Sequence, residues 1–226
     1  MIIGIISAME NELNFIVESL SNKTTETICN QTFYIGNINE HKIIGVVSGI
    51  GKVNSAVTTT LLINNFKPDL IINSGIAGGT SGLLPKDVII SDKLAYSDVD
   101  VLAFGYEFGQ IPQEPLYFET DYKNRKLLEK TLLKLNIKYK NALILTADTF
   151  RSTTKDIKNN VPLGYAVEME GASIAQTCNK LKTPFISIRF ISDILDSENH
   201  IDDYNSFEKE ASLMSGNITI NFIKNI

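Results

Sequence analysis

Cysteine, histidine and arginine are scarce in this chain. Its two cysteines, Cys29 and Cys178, stand far apart, in no CxxC pair and at no zinc-ligand spacing. They supply neither a disulfide framework nor a metal site. The two histidines, His41 and His200, have no metal-like neighbours and read as surface residues. Of 21 basic residues only Arg125, Arg151 and Arg189 are arginines, and the lysines are distributed rather than blocked. With a net charge of −5, that pattern argues against nucleic acid or an anionic membrane as partner. No apolar run approaches the ~20 residues of a membrane span. The opening MIIGIISAMENE has too short an apolar part for a signal peptide and lacks a basic n-region, so a cytoplasmic location is expected. Repeats, low-complexity tracts and linkers are missing too, and residues 1–226 read as a single domain.

What is present is ordinary globular material, 43% hydrophobic and 21% charged. Short runs rich in Ile and Val recur at 2–6, 42–48, 69–73, 87–91, 142–146 and 185–190. Several are near-continuous rather than alternating, as in strands buried on both faces. Helical spacing lies between them. Leu13, Ile16, Val17 and Leu20 mark a helix over 10–20, and Val53, Ala56, Val57, Thr60 and Leu61 one over 53–64. Leu127, Leu128, Thr131, Leu132 and Leu135 mark a third over 123–135, with further helices over 170–181 and 206–223. This alternation predicts an α/β layered sheet with helices on both faces. Residues 93–122, aromatic and punctuated by Gly and Pro, read as a long structured loop with a functional or interface role.

Ligands of open α/β sheets sit beyond the C-terminal ends of the strands. Six such ends carry Gly, Ser or a carboxylate. They are Ser7 to Glu12, SGIGKVNSA (48–56), SGIAGG (74–79), Asp148 with Phe150 and Arg151, Glu168 with Glu170, and Ser192 with Asp193. Each has a plain structural reading. Glu10 and Glu12 suit the macrodipole of a first helical turn. Ser192-Asp193 could be an N-cap pair, Phe150 could be core, and SGIAGG a close backbone approach. SGIGK lacks the GxxxxGK[ST] spacing of a P-loop.

Taken together, the pieces suit cleavage of a bond between a sugar and a purine. That reaction needs an acid on the base side, a general base for water on the opposite face of the sugar, and carboxylates for the developing cation. An aromatic ring supplies a stacking surface. Neither paired metal ligands nor a Ser-His-Asp set is present.

GIISAMENE (4–12), SGIGKVNSA (48–56), INSGIAGG (72–79), AFGYEFGQIP (103–112), VEMEGASIA (167–175) and ISD (191–193) occur in order over nearly the whole chain. In these blocks the sequence resembles the 5′-methylthioadenosine/S-adenosylhomocysteine nucleosidases, a branch of the purine nucleoside phosphorylase superfamily. The resemblance implies a three-layer αβα sandwich around a mixed, partly barrel-like sheet, a homodimer, and no cofactor or metal. Its implied substrates are adenine nucleosides: methylthioadenosine, S-adenosylhomocysteine and 5′-deoxyadenosine.

The resemblance also implies roles. Glu12 matches the base for the water, Asp193 the acid for adenine N7 with Ser192 holding it, and Glu170 the carboxylate on the ribose hydroxyls. Met169 packs on the ribose, and Arg189 lies near the water and the ribose-binding carboxylate. Phe150 stacks on adenine, whose edge the backbone of Arg151 reads. Ala8, Met9, Ile50 and Gly78 line the pocket, and Tyr204 covers the sugar's 5′ side. Val101, Phe104 and Tyr106 close the pocket of the partner subunit.

This chain departs from the family pattern in several places. Ile76 replaces a usual serine near the water, Arg151 replaces a small apolar residue, Ser97 stands where a histidine is common, and Gly171-Ala172-Ser173 replaces Ala-Thr-Ala. Phosphorolysis on the same fold and a non-catalytic adenine-nucleoside binding module are the alternatives to hydrolysis. Glu168, next to the strand-to-helix junction, is expected to be structural, paired with backbone or a cation.

Overall fold

Strand and helix alternate along the chain much as the apolar spacing predicts. The computed structural model describes every residue except Asn199, and every side chain except those of residues 199–207. In chain order the elements are β1 (Ile2–Ser7), α1 (Glu10–Glu18), β2 (Ser21–Ile28), β3 (Gln31–Ile38), β4 (His41–Val47), α2 (Lys52–Phe66) and β5 (Leu70–Gly79). There follow β6 (Val88–Ile90), β7 (Lys93–Tyr96), β8 (Phe118–Glu119), α3 (Tyr122–Lys134), β9 (Tyr139–Asn141) and β10 (Ile144–Thr146). The chain closes with β11 (Ala166–Glu168), α4 (Gly171–Lys180), β12 (Phe185–Ile194) and α5 (His200–Lys224).

These strands form one mixed sheet, in which β4, β1, β5 and β12 are successive parallel neighbours. The sheet forks at β5. Leu70 to Asn73 pair with β1, Gly78 and Gly79 pair antiparallel with β11, and β12 follows the other edge. From β11 the path runs through parallel β10 and β7 to β8, while β12 leads to β6 and β9. The ends do not meet, so the sheet branches without closing into a barrel.

Successive side chains of a strand point to opposite faces, and both faces are apolar here. Ile3 and Ile5 join Leu13 and Ile16 of α1, Leu128 and Leu132 of α3, and Ile218 and Phe222 of α5. Ile6, Ile44 and Ile71 join Leu62 and Ile63 of α2 and Ile174 and Ala175 of α4. A helical layer on each face makes the expected three-layer αβα sandwich. Each side chain buried completely contributes roughly 1.5–3 kcal/mol. At Gly4 the packing reaches the backbone: a Cβ there would lie 2.6 Å from Ile71 and Leu62.

The structure departs from the sequence reading in four places. SNKTTETI (21–28) has no apolar alternation, yet it is an edge strand, held to β3 by antiparallel backbone pairing and exposed along nearly its whole length. His41 reads as a surface residue but is buried, its Nε2 lying 3.2 Å from the Ile226 carbonyl. The 93–122 segment is not plain loop, since it holds β7, a 3-10 turn over Leu102–Phe104, and β8. SGIAGG and ISD, which read as segments beyond strand ends, are the C-terminal parts of β5 and β12.

Candidate active site

Parallel strands end on one edge of a sheet, and the turns that follow them meet there. One cavity lies on this edge and holds about 640 Å³ of space including its open mouth, within the range of small-molecule sites. Ala8, Met9 and Glu12 reach it from the β1–α1 turn, Ile50 from the turn before α2, and Ile76, Ala77 and Gly78 from β5. Thr149, Phe150 and Arg151 follow β10, Val167 and Glu168 end β11 with Met169 and Glu170 just beyond it, and Ser192 and Asp193 come from β12. Segments far apart in sequence thus meet in one place.

Glu12 stands in the first turn of α1 and is 2% exposed. Its Oε2 accepts the N–H groups of Ala8 (2.9 Å) and Met9 (3.0 Å), and its Oε1 accepts the N–H of Ile76 (2.9 Å). Burial raises its pKa, while the Arg189 guanidinium and the three N–H donors pull the other way. The contact from position 76 to Glu12 is made by backbone. An isoleucine there leaves it intact.

Asp193 is also buried, at 2% exposure. The register of β12 against β5 shifts between Ile191 and Asp193, and such a bulge re-aims side chains. Ser192 and Asp193 consequently both face the cavity, although neighbours on a regular strand would not. The Ser192 hydroxyl donates to Asp193 Oδ1 at 2.5 Å. Gly78 lies opposite, where a Cβ would come within 3.1 Å of Asp193 Oδ2.

Glu170 precedes α4 and accepts the Gly51 N–H at 2.8 Å. Burial, and then the charge of Glu168, push its pKa up to about 8 against the pull of Arg189 and that N–H. Glu168 is held differently. Its Oε2 accepts the N–H groups of Glu170 (3.0 Å) and Gly171 (2.6 Å) and Arg189 Nη2 (2.5 Å), while its Oε1 accepts the Thr146 hydroxyl. It closes the N-terminus of α4, where a carboxylate suits the dipole, and pairs with the cation, as expected of it.

Arg189 does not line the cavity but lies beneath it, 1% exposed. Its Nη2 is shared between Glu168 and Asn73 Oδ1, the latter at 2.5 Å. Nη1 sits beside Glu12 across Gly75. A Cβ at position 75 would fall 2.5 Å from Nη1 and within contact of Glu12 Oε1.

Ile50 and Phe150 are 51% and 54% exposed and stand at the mouth. Two of the departures from the family pattern touch each other: Arg151 Nη2 donates to the Ser97 carbonyl at 3.1 Å. Val101, Phe104 and Tyr106 do not line this cavity; Phe104 is 80% exposed and Tyr106 lines a second hollow with Tyr117 and Val161. The side chain of Tyr204 lies outside the described ones. Sequence reasoning missed Ala77, Thr149 and Val167 as walls and Asn73 beneath them. Only the pairing of β5 with β1 and β12 brings Asn73 there. Among the described residues no group of three or more His, Cys, Asp or Glu side chains is placed to hold a metal ion, and no helix is long and apolar enough to cross a membrane.

Comparison with known proteins bears on the family and the fold. The chain matches the Phosphorylase superfamily over residues 2–224. It is 42% identical over 228 residues to a 5′-methylthioadenosine/S-adenosylhomocysteine nucleosidase of Staphylococcus saprophyticus, covering 99% of this chain and 100% of the relative. The S-adenosylhomocysteine nucleosidase of Streptococcus pyogenes, solved with 5-methylthiotubericidin, superposes with a TM-score of 0.94 at 36% identity, covering 100% of this chain and 97% of that one. The nucleosidase of S. pneumoniae with the transition-state inhibitor MT-ImmA gives 0.93 at 39% identity, covering 100% and 99%. The chain belongs to the 5′-methylthioadenosine/S-adenosylhomocysteine nucleosidase family of the phosphorylase superfamily.

Proposed function

We propose that the protein hydrolyses the N-glycosidic bond of 5′-methylthioadenosine and S-adenosylhomocysteine, and of 5′-deoxyadenosine, releasing adenine and the corresponding sugar. One observation carries this reading: two carboxylates, Glu12 and Asp193, are each 2% exposed and line the same cavity from different elements. The reaction needs an acid and a base on different elements of one cavity, and Glu12, its pKa raised by burial, suits the base. In this reading Asp193, held by Ser192, protonates adenine N7 as the base leaves. Glu12 takes the proton of the attacking water, with Arg189 beside it. Glu170 binds the ribose hydroxyls, Met169 packs on the ribose, and Phe150 stacks on adenine. The names of the relatives support the substrate class.

The test is adenine release from methylthioadenosine by wild type and by Asp193→Asn. The variant should lose at least ~100-fold in turnover, the scale of general acid catalysis. Unchanged turnover in Asp193→Asn removes the acid assignment.

A homodimer completes the proposal. Val53 and Val57, four residues apart on α2, are 73% and 51% exposed, and Leu102 and Phe104 are 53% and 80% exposed. Apolar exposure of this kind suits a second copy of the chain. The segment with Val101, Phe104 and Tyr106 would then reach the 5′ side of the partner's pocket. Sedimentation should give a dimer, and Phe104→Ala should raise KM for methylthioadenosine more than it lowers kcat.

A further inference from the structure

Asn73 stands in the middle of β5, opposite Ile6 of β1 on one side and Ser187 of β12 on the other. It is 1% exposed. Its Nδ2 donates to the Ile6 carbonyl at 3.0 Å, which fixes the amide so that Oδ1 faces β12. There Oδ1 accepts Arg189 Nη2 at 2.5 Å. Arg189 lies two residues beyond Ser187 on β12, so the two share a face. One amide thus bridges the strand that runs into the Glu12 turn and the strand that carries Arg189, Ser192 and Asp193.

We propose that Asn73 is a positioning residue for the general base, acting through Arg189. This rests on the assignment of Glu12 as that base. Arg189 is gripped at Nη2 by Asn73 and Glu168, which leaves Nη1 beside Glu12 across the bare backbone of Gly75. Without the Asn73 acceptor the guanidinium has one anchor, Glu168, and is free to swing toward it and away from Glu12.

The amide is chemically suited to this place. The groups that face Arg189 are Glu12 from α1, Glu168 from β11 and Glu170 at the start of α4. One cation already serves three carboxylates. A fourth would add repulsion, whereas an amide oxygen accepts the same hydrogen bond without charge. The amide also brings a donor for Ile6, which an aspartate in its place would turn into a second acceptor.

The experiment titrates Glu12 by carboxyl ¹³C NMR, with the signal assigned by its loss in Glu12→Gln, in wild type, Asn73→Ala and Asn73→Asp. The pH dependence of kcat/KM for adenine release is measured beside it. Both Asn73 variants should move the Glu12 midpoint upward by about one pH unit, because the cation is withdrawn or further outnumbered. The acid limb of kcat/KM should move with it, and kcat should fall about tenfold with KM changed less than about threefold. A fall in melting temperature with an unmoved Glu12 midpoint overturns the proposal and leaves Asn73 a packing residue. Should Asn73→Ala fail to fold, Asn73→Leu, close to Asn in size and without an acceptor, should give the same upward shift of the midpoint; no shift overturns the proposal. If Glu12→Gln keeps full turnover, the base assignment fails on its own, and the NMR midpoint still reports whether Asn73 holds Arg189.

Discussion

Arg189 Nη2 lies 2.5 Å from Glu168 Oε2, with the two side chains 1% and 4% exposed. This pair divides the two glutamates of VEMEGA. Glu168 is saturated by Arg189, two backbone N–H groups and Thr146, whereas Glu170 takes one N–H, from Gly51, and faces the cavity. Glu168→Ala strands a buried guanidinium and uncaps α4. It should cost about 3–5 kcal/mol in urea unfolding, the usual cost of breaking a buried pair. Glu170→Ala should instead lower adenine release at least ~100-fold while the unfolding midpoint does not fall below wild type. Equal loss of activity with unchanged stability in both variants contradicts the division.

Glu170 also sets a pH dependence of stability. Its pKa rises from the usual 4.5 to about 8 in the folded protein. Between those values the folded state binds more protons at this site than the unfolded chain does. Stability from this group is therefore full below pH 4.5 and declines as pH rises through about 8. Unfolding free energy measured across that window should fall less steeply with rising pH in Glu170→Gln than in wild type. Parallel curves contradict the raised pKa.

Gly75 tests the approach of Glu12 and Arg189 toward one another across its bare Cα. A methyl group there meets Arg189 Nη1 at 2.5 Å and presses on Glu12 Oε1. Gly75→Ala should lower kcat by about 10–100-fold, the effect of displacing a general base, with KM little changed. Steady-state kinetics on methylthioadenosine measures it, and a variant with wild-type kcat shows that this approach is dispensable.

Arg151 should matter through its position more than through its charge. Its guanidinium reaches the Ser97 carbonyl, and the proposed contact to adenine is made by its backbone. Arg151→Ile should raise KM less than about tenfold, as for loss of one peripheral hydrogen bond, and leave kcat within about threefold. A 100-fold drop in kcat would mean that the guanidinium acts on the substrate itself.

Much of this site is legible in the sequence because its parts sit where chain direction changes. Glu12, Ile50, Phe150 and Glu170 all stand at turns beside strand ends, where short Ile- and Val-rich runs mark the boundary. Residues inside strands were harder to place. Nothing in ISD announces the bulge that turns both Ser192 and Asp193 into the cavity. Asn73 reads as a strand end, and only its parallel neighbours β1 and β12 show that it bridges Ile6 and Arg189. The β2–β3 hairpin escaped because its outer strand is exposed along nearly its whole length and so carries no apolar pattern. Arg151 and Ser97 each read as an isolated departure from the family, and their contact exists only in three dimensions.

The sugar product formed from methylthioadenosine in phosphate buffer tests the two-carboxylate hydrolysis most directly. Glu12 lies buried in the cavity wall, and as the carboxylate that the proposed base must be, it would repel a phosphate dianion. Free 5-methylthioribose, formed at the same rate with and without phosphate, is the predicted result. A sugar 1-phosphate that appears only when phosphate is present would contradict it.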